Sequence, residues 1–197
     1  MQRVIIFDLS EVLIEGLYSL RPSLAEQLNI PPDTVIPGLG GEPLVALMEG
    51  KICEETYWQR VLERTRWAIT GMELGVLARH AFRRTIPGMP ELLASLRAHR
   101  LVLLSDHARE WMAYIDAMHP FLQGFERRFI SYEMGQTKRQ IETFRRVLAA
   151  LGCTPHDCVF IDDLQWNVER ATAVGIQAHT FTSAEALQRF LNAVGIA

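Results

Sequence analysis

The stretch Val4-Ile5-Ile6-Phe7-Asp8-Leu9-Ser10-Glu11-Val12-Leu13-Ile14-Glu15-Gly16 decides the fold. Four consecutive apolar residues lead straight into a carboxylate. A run this short and this apolar predicts a strand buried on both faces, the environment of a central strand in a parallel sheet. Asp8 then falls at the C-terminal end of that strand, where open parallel sheets bind their ligands. Other runs have the same form. Leu101 to Leu104 ends in Ser105-Asp106, Cys158 to Ile161 ends in Asp162-Asp163, and Gln177 to Phe181 follows later. Arg128 to Ser131 is a weaker candidate.

Helical patterns separate these runs. Glu91 to His99 carries Leu92, Leu93 and Leu96 after the break at Pro87-Gly88 and Pro90. Gln140 to Leu151 places Ile141, Phe144, Val147, Leu148 and Leu151 on one face, with Gly152 as a stop. Thr182 and Glu185 have the spacing of a capping box and predict the start of a last helix, with Leu187, Phe190 and Leu191 facing inward. The alternation predicts an α/β fold: a Rossmann-like open parallel sheet with helices on both faces. Between Phe7 and Leu101 the rhythm breaks. Leu24 to Leu28, Leu44 to Met48, Tyr57 to Arg66 and Met72 to Phe82 read as helical pieces, punctuated by Pro31-Pro32 and Gly38 to Gly41. The expected division is a core of residues 1–14 and 87–197 with an inserted helical cap at 15–86.

Composition narrows the function classes. The chain has 197 residues, enough for a substantial core, with 49% hydrophobic and 22% charged residues, as in ordinary globular proteins. No apolar stretch is long enough to cross a bilayer, so no membrane role is expected. The first residues lack the features of a signal peptide, so Met1 reads as the start of the folded protein and the cytoplasm as its compartment. A net charge of -3 offers no basic surface for nucleic acid. Cys53, Cys153 and Cys158 form no CxxC pair and read as free thiols. The six histidines show no metal-ligand spacing and read as surface or core residues. Of 20 cationic residues 18 are arginine, so Lys51 and Lys138 stand out. A lysine in such a chain suggests a place where a compact point charge is required.

The predicted strands bring Asp8, Ser105, Asp106, Lys138, Asp162 and Asp163 to one rim of the sheet, with Asn167 one helical turn further on. Two adjacent acids delivered by one apolar strand suggest a cation site, although aspartates also favour helix N-caps.

The stretches FDLSEVL, LLSD, MGQTK and VFIDDLQWN, in this order and spanning essentially the whole chain, resemble the haloacid dehalogenase superfamily. The likeness is to the subgroup with a small helical cap inserted after the first strand. EGKICEE and the DL-x-x-V start resemble, more loosely, the bacterial glucose-1-phosphate phosphatase branch. The resemblance implies a Mg²⁺-dependent phosphatase of small phosphorylated metabolites, sugar phosphates among them, working through an aspartyl-phosphate. Asp8 would be the nucleophile. Mg²⁺, which demands oxygen ligands, would take carboxylates from Asp8 and Asp163 and the backbone carbonyl of Ser10, with Asp162 a further ligand or an anchor behind them. Ser105 and Asp106 would lie at the phosphoryl group, and Lys138 would balance its charge.

Ser10 departs from the pattern. Most phosphatases of the superfamily carry a second aspartate there, which protonates the leaving oxygen and later activates water. A serine hydroxyl cannot act as an acid near neutral pH, which puts a factor of roughly 10²–10⁴ at risk. Three outcomes follow: a substrate whose leaving group needs little protonation, a substitute acid such as Glu11 or a cap residue, or ligand binding without turnover. Two other classes stay open, a metal-independent 2-haloacid dehalogenase and a partner-binding protein that uses the apolar insertion. Tyr18 and Arg21 are expected near the site entrance.

Overall fold

The computed structural model describes residues 2–196. Its centre is a parallel five-stranded sheet in the order β3-β2-β1-β4-β5, with β1 at Val4–Phe7, β2 at Arg100–Ser105, β3 at Arg127–Ile130, β4 at Cys158–Asp162 and β5 at Gln177–Thr180. Ile5 pairs with Leu101 on one side and with Val159 on the other. All four residues of β1 are buried, as a strand with neighbours on both edges and helices on both faces must be.

The pleat sorts the strand residues into two cores. Ile5, Phe7, Leu101, Leu103, Val159 and Ile161 face one side. There they meet α6 (Met89–Ser95), α7 (Arg109–Met118) and α11 (Ala184–Ala193). Val4, Ile6, Val102, Leu104, Cys158 and Phe160 face the other, against Phe144, Val147 and Leu148 of α9 (Ile141–Leu151) and Ala171 of α10 (Gln165–Ala173). Each large side chain fully buried in this way contributes roughly 1.5–3 kcal/mol before conformational entropy is counted.

Between β1 and β2 the chain forms α1 (Arg21–Leu28), α2 (Pro32–Leu39), α3 (Glu42–Met48), α4 (Glu54–Thr65) and α5 (Gly71–Ala81) before α6. The segment leaves and rejoins the sheet through paired backbones: Glu15 N donates to Arg84 O at 2.8 Å and Ile86 N to Leu13 O at 2.9 Å. Its interior is aromatic. Tyr57 and Phe82 lie 5.7 and 5.5 Å from Trp111 of α7, tying the insertion to the helix that follows β2. Glu54 is held by two contacts from Arg79, at 2.7 and 2.5 Å, and by Trp58 Nε1 at 3.0 Å. Tyr57 and Trp58 are buried, so these aromatics are structural core.

Several boundaries differ from expectation. The last helix is capped by Ser183, whose hydroxyl accepts from Ala186 N at 3.2 Å; an alanine at that position cannot close a capping box, so the predicted Thr182–Glu185 box is replaced by a simple serine cap one residue later. Phe181 N donates to Asp162 O and prolongs the sheet's pairing to the preceding residue. A capping box does occur at Thr70 and Glu73, opening α5. Pro32, read as punctuation, is instead the first residue of α2, where a missing N–H costs nothing. The three cysteines are free. Among the described residues no helix is long and apolar enough to cross a membrane.

Candidate active site

The strand order reverses at β1, whose neighbours are β2 and β4, and such a switch point opens a crevice at the strands' C-terminal ends. Asp8 follows β1 directly, and its N–H continues the ladder by donating to Ile161 O at 2.9 Å. Asp162 closes β4, and Ser105 closes β2. Asp8, Asp162, Ser105 and Lys138 are all buried.

Lys138 organises the centre. Its Nζ lies 2.7 Å from Asp8 Oδ1 and 2.6 Å from Asp162 Oδ2. The backbone places it: Lys138 N donates to both oxygens of Asp106, at 2.9 and 3.1 Å. Thr143 Oγ1 at the start of α9 donates to Thr137 O at 2.7 Å and fixes the same loop. Burial works against the ammonium, but the charges of Asp162, Asp8 and Asp106 more than offset it and hold Lys138 above its ordinary value. Burial raises Asp8, against the pull of Lys138, and Asp162 and Asp163 push in the same upward direction. Asp106 is raised by burial to about 6.

Asp162 and Asp163, adjacent in sequence, have different surroundings. Asp162 accepts from Leu164 N at 2.9 Å and from Asn167 Nδ2 at 3.1 Å, besides Lys138. It is a fully engaged anchor. Asp163 makes no ion pair among the described residues, and burial together with the Asp162 charge pushes it up to about 7. One oxygen from each of Asp8, Asp162 and Asp163 lies within 4.8 Å of the others.

The segment after Asp8 turns sharply. Leu13 N and Ile14 N both donate to Leu9 O, and Glu11 N donates to Ile14 O, so the Ser10 carbonyl is not used by the turn's backbone bonds. Glu11 sits at φ +62°, a left-handed conformation uncommon for its residue type. Its carboxylate compensates by accepting from Gly16 N at 3.0 Å and Tyr18 N at 3.2 Å. Gly16 is required here, since a Cβ would meet Ser10 Cβ at 2.8 Å. Glu11 therefore lines the cavity but serves as the brace of the loop, and burial raises its pKa.

Sequence reasoning missed His107. Ser10 Oγ lies 3.2 Å from its Nε2, and the ring packs edge-on to Phe82 and Trp111 at 5.2 and 5.7 Å. Burial, helped by the Lys138 charge, pushes it down to about 3, so it is neutral. The His107 backbone N–H donates to Oγ of Ser131, the first residue of the short α8 (Ser131–Met134), and that hydroxyl donates to Met48 O at 2.5 Å and so clips the insertion to the core. The only signal in the sequence was its position immediately after Ser105-Asp106. Arg21, expected near the entrance, turns away to donate to Pro32 O and does not line the cavity. Tyr18 does line it.

The residues fit a divalent cation. Asp8 and Asp162 flank one ammonium, Asp163 beside them has no ion-pair partner among the described residues, and the Ser10 carbonyl is not engaged by the turn; hard oxygen donors of this kind suit Mg²⁺. The buried Ser105 hydroxyl has no partner among the described residues, an unmet capacity that a phosphoryl oxygen would fill.

The family model for haloacid dehalogenase-like hydrolases matches residues 2–175, and the chain belongs to that family of hydrolases. Flavin mononucleotide hydrolase 1 of Arabidopsis thaliana, a protein named as chloroplastic, is 31% identical over 115 residues, 56% of this chain. The match spans 46% of that relative's length. A haloacid dehalogenase family enzyme from Bacteroides thetaiotaomicron, solved with magnesium and inorganic phosphate, superposes with a TM-score of 0.73 at 20% identity, over 96% of this chain and 99% of its own. The L-2-haloacid dehalogenase of Xanthobacter autotrophicus gives 0.68 at 18% identity over 100% and 85%. At these identities the likeness shows a shared fold.

Proposed function

We propose that the chain is a Mg²⁺-dependent phosphatase of small phosphomonoesters, with residues 1–14 and 87–197 as the catalytic core and 15–86 as a cap over it. The observation that carries this is the cluster of Asp8, Asp162 and Asp163 around one buried lysine, beside an unpartnered buried hydroxyl. The FMN hydrolase relative and the magnesium–phosphate complex of the Bacteroides enzyme support it.

Each side chain has a defined task. Lys138 engages Asp8 Oδ1, which leaves Oδ2 for in-line attack on phosphorus. The ester P–O bond breaks as the aspartyl-phosphate forms, and the departing oxygen takes its proton from solvent. Water then hydrolyses the acyl phosphate to release inorganic phosphate and restore Asp8. Ser105 Oγ donates to a non-bridging phosphoryl oxygen, and the Lys138 charge stabilises the negative charge gathered there. Asp162, itself fixed by the Asn167 amide, holds Lys138 in place. Asp8, Asp163 and the Ser10 carbonyl would bind Mg²⁺, which when bound neutralises repulsion between the attacking carboxylate and the phosphate. No carboxylic acid stands at position 10, and Glu11 is engaged in the loop, so protonation of the leaving oxygen is weak. Esters with acidic leaving groups, aryl phosphates and anomeric sugar phosphates, are the favoured substrates.

Steady-state hydrolysis of an aryl and an alkyl phosphate, with Mg²⁺ and with chelator, tests this. Chelator-sensitive turnover that is faster on the aryl ester and absent from Asp8→Asn is expected. Equal rates on both esters, or halide release from 2-haloacids in chelator, would overturn it.

A further inference from the structure

A cavity of about 260 Å³ opens above the carboxylate cluster, and its walls are of two kinds. The floor is polar: Asp8, Asp106, Lys138 and Asp163. The roof is apolar, with Leu17, Tyr18, Ile36, Leu39 and Leu44 from the insertion, and Trp166 of α10 completes the mouth. Tyr18 and Trp166 are each 47% exposed, although most large apolar side chains in this protein are buried. Two half-open aromatic rings at the mouth of one cavity present a flat apolar surface that water covers poorly and a ring covers well.

The charges discriminate further. Beyond Lys138, Arg139 is the one cation lining the cavity among the described residues, and it is an exposed side chain outside the apolar roof. The acids Glu11 and Asp163 face the same space. A second phosphate on the leaving group would find no cation in the apolar roof and would be repelled by Glu11. The volume lies below the range of about 300–1,000 Å³ typical of sites for drug-sized ligands, so one or two fused rings fill it beside the phosphoryl group.

We propose that the substrate's leaving group is a small flat ring system, largely apolar and without a second phosphate. This rests on the phosphatase reading above and names the substrate class of that same site. It also accords with Ser10, because a ring-borne hydroxyl leaves more readily without an acid than an alkoxide does.

Two readouts test it, and the first needs neither metal nor turnover. Titration with 2-naphthol, followed by fluorescence of the cavity residues Trp111 and Trp166, is expected to saturate, whereas glycerol produces no change. The second compares kcat/KM for 2-naphthyl and phenyl phosphates, whose leaving groups are of nearly equal acidity. Burial of the extra ring predicts about a tenfold preference for the naphthyl ester. Trp166→Ala and Tyr18→Ala, both at exposed positions that keep folding safe, should each reduce that preference at least threefold. A naphthyl bisphosphate should be the poorer substrate. Turnover with no preference between the esters, or naphthol titrations no different from glycerol, would overturn the assignment. Loss of all phosphatase activity with naphthol binding intact would overturn the catalytic reading and leave the ring site standing.

Discussion

Replacing Lys138 by methionine keeps the side chain's length and removes its charge, and the consequence can be worked from the geometry. Asp8 and Asp162 lie 2.7 and 2.6 Å from the ammonium, and both are buried. After the change Asp162 keeps its bonds from Leu164 N and Asn167, but Asp8 loses its ion-pair partner. Removing one member of a buried pair costs about 3–5 kcal/mol, a large part of a typical stability of about 5–15 kcal/mol. The sign with pH follows from the direction of each shift. Lys138 is raised in the folded state, so its contribution is complete at every pH below the ordinary lysine value and disappears only at more alkaline pH. Asp8 is already raised by burial, and without Lys138 it rises further. An acid raised on folding destabilises the protein progressively as pH climbs above its unfolded pKa of about 4. The variant's deficit therefore grows as the pH rises from 5 to 8. Urea denaturation of both proteins at pH 5 and pH 8, without divalent cations, measures it. A deficit under about 1 kcal/mol at pH 8, or one equal at both pH values, would refute the reasoning.

Three further outcomes are expected. Ser10→Asp should restore an acid to the site and raise turnover of alkyl phosphates at least tenfold, with little change on phenyl phosphate; steady-state kinetics on the two esters checks this. Ser131→Ala leaves His107 N and Met48 O without their shared partner and should cost about 1–3 kcal/mol, measured as a lower urea midpoint. Because Asp163 is pushed up to about 7, protons compete for it at lower pH, and Mg²⁺ affinity should fall about tenfold between pH 8 and pH 6 by calorimetry.

The parts of the fold legible in the sequence were those with a strong local signature. The runs at Val4, Leu101 and Cys158 are apolar enough to require burial on both faces, and each became a strand of the sheet. The amphipathic period after Gln140 became α9. Boundaries governed by tertiary contacts were harder to place. Thr182 and Ser183 are both competent caps, and the pairing of Phe181 with Asp162 settles which one opens the last helix. α2 was hidden because its Pro32 and Gly38 look like loop signals, while its apolar positions Val35 and Leu39 are too few to show a period. In the site, the residues at strand ends could be foreseen because Asp8, Ser105 and Asp162 inherit their place from the sheet. The different surroundings of Asp162 and Asp163 could not, since they depend on Lys138 arriving from a distant loop. Nor could His107, whose contact with Ser10 joins residues 97 apart in the chain.

Calorimetric titration of the purified chain with Mg²⁺ at pH 8 tests most directly whether the carboxylate cluster is a cation site. One saturable binding event is expected, weakened at least tenfold by Asp163→Asn and retained by Trp166→Ala, which lies at the cavity mouth. Absence of binding heat at several temperatures, or binding untouched by Asp163→Asn, would contradict the account.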